Sequence, residues 1–135
     1  MEHWLLKTEP STYSYHDLAR DGRTTWDGVS NPVALRHLRA MKKGDQAFIY
    51  HTGKEKAIVG IARVTRAGYP DPRHGDSKLV VVDLEPVRAV ARPVTLAEVK
   101  ADRRFVDFAL ARMPRLSVMP VTPPQWKTLL SLAGE

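Results

Sequence analysis

Gln46-Ala47-Phe48-Ile49-Tyr50-His51 and Ile58-Val59-Gly60-Ile61-Ala62-Arg63-Val64 are two β-rich runs, separated by the turn-like stretch Thr52-Gly53-Lys54-Glu55-Lys56. Together they predict a hairpin. Leu79-Val80-Val81-Val82-Asp83-Leu84 adds a third strong strand that Pro86 should end, and Tyr69-Pro70-Asp71-Pro72 starts a loop reaching Ser77. Trp4-Leu5-Leu6-Lys7, stopped by Pro10, and Leu116-Ser117-Val118-Met119 read as short strands. Helices fall between these runs and at both ends. Ser14 with Asp17 opens a short helix through about Arg20, and Thr95 with Glu98 opens another to about Ala101. Asn31 followed by Pro32 is an N-cap with proline at the first helical position, and Val33, Ala34, Leu38 and Met41 form its apolar stripe before Gly44. Phe105, Phe108 and Leu110 suggest a further helical turn or two, and Thr122, Pro123 and Gln125 open a last helix. The pattern predicts an α+β chain: a small, twisted, mostly antiparallel sheet or barrel of about five to six strands with short helices around it.

The 135 residues suit a single domain spanning 1–135, long enough to bury a core without staples. The absence of cysteine removes disulfides, thiolate catalysis and Cys-based zinc sites. His3, His16, His37, His51 and His74 show no helical metal-ligand spacing, so neither a metal nor a cofactor is expected. No Gly-rich phosphate loop follows a strand. No apolar run approaches the ~20 residues of a membrane span. The start Met1-Glu2-His3-Trp4 has no leader pattern, so a cytoplasmic protein is expected. The sequence leaves the oligomeric state open, with a monomer as the expectation. A net charge of +6 and a pI near 9.8 fit an anionic partner, nucleic acid foremost, or plain solubility.

Trp26 is the residue on which function turns. Trp4 and Trp126 lie in apolar settings and read as core, whereas Trp26 stands between Arg23-Thr24-Thr25 and Asp27-Gly28. A ring in that polar company suits a pocket where a base stacks and polar groups question its edge. Trp26→Ala should then leave folding nearly intact and weaken binding at least tenfold, about 1.4 kcal/mol. Lys7, Thr8 and Glu9 are the most enzyme-like cluster, but neighbours in a strand point to opposite faces, and a plain Lys–Glu pair explains them better. His51 either faces a cleft at a strand end or is a polar turn residue. Arg36, Arg39, Lys42, Lys43 and Arg115 are read either as phosphate contacts or as solvated surface.

These residues carry a resemblance to the EVE domain family, part of the PUA-like superfamily with the YTH and ASCH domains. The matching blocks run through Trp4-Leu5-Leu6-Lys7-Thr8-Glu9-Pro10, Thr25-Trp26-Asp27-Gly28-Val29, Met41-Lys42-Lys43-Gly44-Asp45, Tyr50-His51-Thr52, Val59-Gly60-Ile61-Ala62, Tyr69-Pro70-Asp71-Pro72, Arg92-Pro93-Val94 and Arg115-Leu116-Ser117-Val118-Met119-Pro120-Val121. The resemblance implies a PUA-like β-barrel with flanking helices and a non-enzymatic reader of DNA or RNA bearing a modified or flipped base. It implies a base pocket of Lys7, Thr8, Trp26, Val29, Ser30, Asn31, Tyr50, His51, Thr52, Leu116 and Ser117. An ASCH-like amidohydrolase acting on modified nucleosides with Lys7, Thr8 and Glu9, or a protein-interaction module, are the alternatives. Many members carry Arg-Asn-Tyr-Gln where this chain has Ser30-Asn31-Pro32-Val33, and a Gln where it has Met119.

Overall fold

The computed structural model describes residues 1–76 and 78–135; Ser77, the expected end of one loop, lies outside them. Six strands form one mixed sheet: β1 (His3–Thr8), β2 (Thr24–Trp26), β3 (Gln46–His51), β4 (Ala57–Pro70), β5 (Val80–Thr95) and β6 (Val118–Val121). Their spatial order is β2-β5-β4-β3-β1-β6, with β1 and β3 parallel and every other pair antiparallel. The ladder ends at β2 and β6, so the barrel-like sheet is an open one among the described residues. Around it pack α1 (Tyr15–Asp21), α2 (Pro32–Ala40), α3 (Leu96–Ala101), α4 (Ala109–Arg112) and α5 (Pro123–Leu132), with a 3-10 turn at Arg103–Phe105.

The helices start where the sequence signals them. Ser14 with Asp17, Thr95 with Glu98, and Thr122 with Gln125 each close a capping box. Each satisfies backbone donors that the first helical turn would leave open.

The strands overrun their expected ends. The strand predicted over Ile58–Val64 runs through Pro70, and the one predicted to stop at Pro86 runs to Thr95. Proline is tolerated there because the β4–β5 pairing shifts register between Ile61 and Ala62, and Ala62 is the partner of Pro86. A second shift falls between Ile58 and Gly60, whose partners are Val94 and Ala89, and leaves 90–93 unpaired to β4. There Arg92 N–H instead donates to the Ala133 carbonyl at 3.0 Å. The short strand expected over 116–119 is shifted, lying at Val118–Val121 against β1.

Phe48 stacks on Trp126 at 4.0 Å between ring centroids, seating α5 on the sheet, while Trp4 is buried beside His37 of α2, 6.0 Å between ring centroids. The Trp4 indole N–H donates to buried Asp45 at 3.0 Å, and that carboxylate also receives Lys42 N–H at 3.0 Å and Glu2 N–H at 3.1 Å. A lone buried carboxylate would be costly; backbone and indole donors make this one a clasp on the chain's first strand. No helix among the described residues is long and apolar enough to cross a membrane.

Candidate functional site

The parallel pairing of β1 with β3 brings Lys7 and Thr8 alongside Tyr50 and His51 at the same end of the sheet. Beside that end, the loop from Glu9 to Tyr13 and the edge strand β2 border a half-open cavity of about 640 Å³. Its walls are Lys7, Thr8, Glu9, Thr12, Tyr13, Thr24, Thr25, Trp26, Asp27, Gly28 and Arg73. Trp26 enters it because β2 pairs with β5, Trp26 against Val82, holding the strand at the sheet's margin.

Trp26 is 7% exposed, close to 5% for Trp4 and 6% for Trp126, so exposure alone does not set it apart. Position does: of the three, Trp26 lines this cavity. The Tyr13 ring stands edge-on to it, 6.4 Å between centroids and 83° between planes, which favours the offset charge distribution of aromatic rings. Tyr13 O–H donates to Asp21 at 2.8 Å, and burial foremost raises its phenol above the ordinary range. Gly28, at φ 76, takes the left-handed turn that lets the chain leave β2.

The polar side of the cavity is built mostly of acceptors and hydroxyls. Glu9 Oε1 receives Ser11 N–H at 3.2 Å and Ser11 O–H at 3.0 Å, and these bonds hold its carboxyl below the usual range. Thr52 O–H reaches Glu9 Oε2 at 3.3 Å. Glu9 is thus a fixed, ionised acceptor at the cavity wall. Arg73 forms ion pairs with Asp27 and with buried Asp71 at the mouth.

Lys7 and Thr8 do not form a nucleophile–base pair. Thr8 O–H donates to the Tyr13 carbonyl at 2.7 Å, and Lys7 Nζ donates away from it, to the Pro114 carbonyl at 3.0 Å. Half-burial pushes the Lys7 ammonium below its ordinary range. Hydroxyl activation needs a base within reach of the hydroxyl, and neither bond supplies one. Among the described residues no cluster of His, Asp or Glu is arranged to hold a metal.

Of the residues expected to surround the base, Lys7, Thr8 and Trp26 meet in this cavity. Tyr50 and Thr52 line a smaller neighbouring cleft that shares Lys7. His51 is buried on another side: its Nε2 accepts from Tyr15 N–H at 2.9 Å, so Nδ1 carries the proton toward Glu55 at 2.7 Å. Asn31 stands outside the cavity, its Oδ1 occupied as the α2 cap by Val33 N–H at 2.9 Å and Ala34 N–H at 3.1 Å. Val29 packs half-buried on the core, and Ser30 is exposed. Leu116 is core, and Ser117 offers its carbonyl to Lys7 N–H at 2.9 Å. Arg36, Arg39, Lys42, Lys43 and Arg115 are exposed and none lines the cavity; Arg39 donates to the Lys78 carbonyl at 2.7 Å. The sequence reading passed over Tyr13, Thr24, Thr25 and Arg73. The threonines flanking Trp26 were the visible signal, whereas Tyr13 and Arg73 arrive through tertiary contacts.

Comparison with known proteins places this geometry. Human thymocyte nuclear protein 1 is 34% identical, the alignment covering 96% of this chain and 73% of that protein. The solution structure of a Rhodopseudomonas palustris protein superposes with a TM-score of 0.94 at 43% identity, over 99% of this chain and 94% of that one. The human THYN1 protein, crystallised in complex with 5-methylcytosine-containing DNA, superposes with a TM-score of 0.92 at 31% identity, over 100% of this chain and 99% of that one. The EVE domain model matches residues 2–132, and this chain is a member of the EVE domain family.

Proposed function

We propose that this protein is a non-enzymatic nucleic-acid reader that receives a single modified base, drawn out of its stack, in the Trp26 cavity. The observation that carries the proposal is the meeting of Trp26 and Tyr13 with a fixed carboxylate and several hydroxyls in one cavity of about 640 Å³. A cavity of that size with mixed lining is typical of a small-ligand site. Stacking on an aromatic face returns roughly 1–3 kcal/mol per base, which offsets the few kcal/mol of unstacking. The ionised Glu9 suits an exocyclic amino group, the donor that cytosine presents on its pairing edge. A 5-substituted cytosine in DNA is the favoured ligand, supported by the bound DNA in the human THYN1 protein.

The test is titration of an oligonucleotide carrying one 5-methylcytosine against its unmodified twin. Wild type should favour the modified strand, and Glu9→Gln and Trp26→Leu should each weaken that binding by about tenfold or more. Equal affinity of the wild type for both strands, or indifference to both substitutions, overturns the proposal.

A further inference from the structure

Next to the Trp26 cavity lies a cleft of about 280 Å³, and Lys7 stands in the wall of both. Tyr50, Leu96 and Leu110 give its lining an apolar part, and Lys56 and Lys100 line it too. No carboxylate among the described residues lines it. Among the described residues, none of the three lysines has an acidic side chain within ion-pair reach.

Lys7 is the telling member. Its ammonium has three donors, of which one goes to the Pro114 carbonyl, while the Tyr50 ring lies 5.7 Å away as a weak cation–π partner. Burial without a counter-charge pushes its pKa down, so the site holds a charge that costs free energy to keep. Lys56 is set beside it by a left-handed backbone, φ 47, whose carbonyl receives Leu96 N–H at 2.8 Å. Lys100 projects from α3, the helix that follows directly from β5. Three cations from distant parts of the chain thus line one concavity, and the Glu9 carboxylate beyond Thr52 and Gly53 forms an ion pair with none of them among the described residues.

We propose that the Lys7–Lys56–Lys100 cleft binds a backbone phosphate of the nucleic-acid strand whose base occupies the Trp26 cavity. The inference rests on the reader function, and it adds residues that anchor the strand without regard to sequence. Phosphates fix position while base contacts specify, so the two cavities divide those tasks across the shared Lys7.

The test uses the double variant Lys56→Gln/Lys100→Gln, both positions exposed, with thermal unfolding as the check on folding. Affinity for a single-stranded oligonucleotide is measured across salt concentrations, with and without the modified base. Removing a phosphate contact lowers the slope of log affinity against log salt by roughly 0.7 for single strands. The expected result is a slope reduced by about that amount, equal loss for both strands, and an unchanged preference for the modified base. Lys56→Arg/Lys100→Arg should restore the slope. An unchanged slope overturns the cleft even if the modified base is still preferred. A wild type without preference but with a lysine-dependent slope sinks the reader function and supports the cleft. Inorganic phosphate or a nucleoside monophosphate binding as tightly as the strand, with the same lysine dependence, overturns the backbone as its source.

Discussion

The indole of Trp26 has two attachments: it packs in the core, edge-on to Tyr13, and its remaining surface opens on the cavity. The expectation that Trp26→Ala leaves folding nearly intact is corrected by that burial. Truncating a buried tryptophan costs about 3–5 kcal/mol, because packing is lost and a void remains. Urea denaturation of Trp26→Ala should show a loss in that range; a midpoint equal to the wild type would mean that the ring is not packed. For the same reason binding is better probed with Trp26→Leu, which retains apolar bulk. Gly60 shows a constraint of another kind. A Cβ there would stand 2.4 Å from the Tyr15 ring, so the close approach of α1 to β4 requires glycine. Tyr15 O–H then reaches the Ile61 carbonyl at 2.8 Å.

Among the elements, α2 offers the cleanest test of what a polar residue near the site does. Asn31 caps it with two hydrogen bonds, and Asn31→Ala should cost about 1 kcal/mol of stability. Titration with the modified oligonucleotide should show little change in affinity; a large loss would give Asn31 a part in reading the base. The helices were legible in the sequence because a capping box spans only a few residues and needs nothing from the rest of the fold. β2 was not legible: its three residues are a strand only because β5 pairs with them, Thr24 with Leu84 and Trp26 with Val82. Nor do prolines end strands by composition alone, since Pro86 lies where the pairing shifts register. The site followed the same division. Lys7, Thr8 and Trp26 stood out by local context, while Tyr13 and Arg73 reach the cavity through loop paths that no short stretch encodes.

Over the whole molecule, acid should be the destabilising direction. Glu9, Asp17, Asp21, Glu98, Asp102 and Glu135 are all held below their ordinary values, first by hydrogen bonds from Ser11, Ser14, Tyr13, Arg92, Arg104 and Arg88 respectively. A carboxyl with a lowered folded-state pKa binds fewer protons folded than unfolded. Its contribution is therefore present above the ordinary values of 3.8 for Asp and 4.5 for Glu, and is lost as pH falls through the folded ones. His3 and His37, held below 6.5 by burial first, add a loss that begins as pH falls below that value. Thermal melts should therefore give a Tm that declines from about pH 6.5 and declines further, though modestly because the carboxylates are exposed, below about pH 4.5. A Tm that holds steady into that acid range would contradict it. Protonation also raises an already positive net charge of +6, so added salt should recover part of the loss. The placing of β1 between β3 and β6 has a kinetic consequence. His3 pairs with Val121 and Leu6 with Val118, so this strand is closed by a partner far along the chain and waits for a slow, non-local contact. Until then its outer edge has no partner, and chaperones or neighbouring nascent chains compete for it. Docking of β6 is the step that removes that open edge.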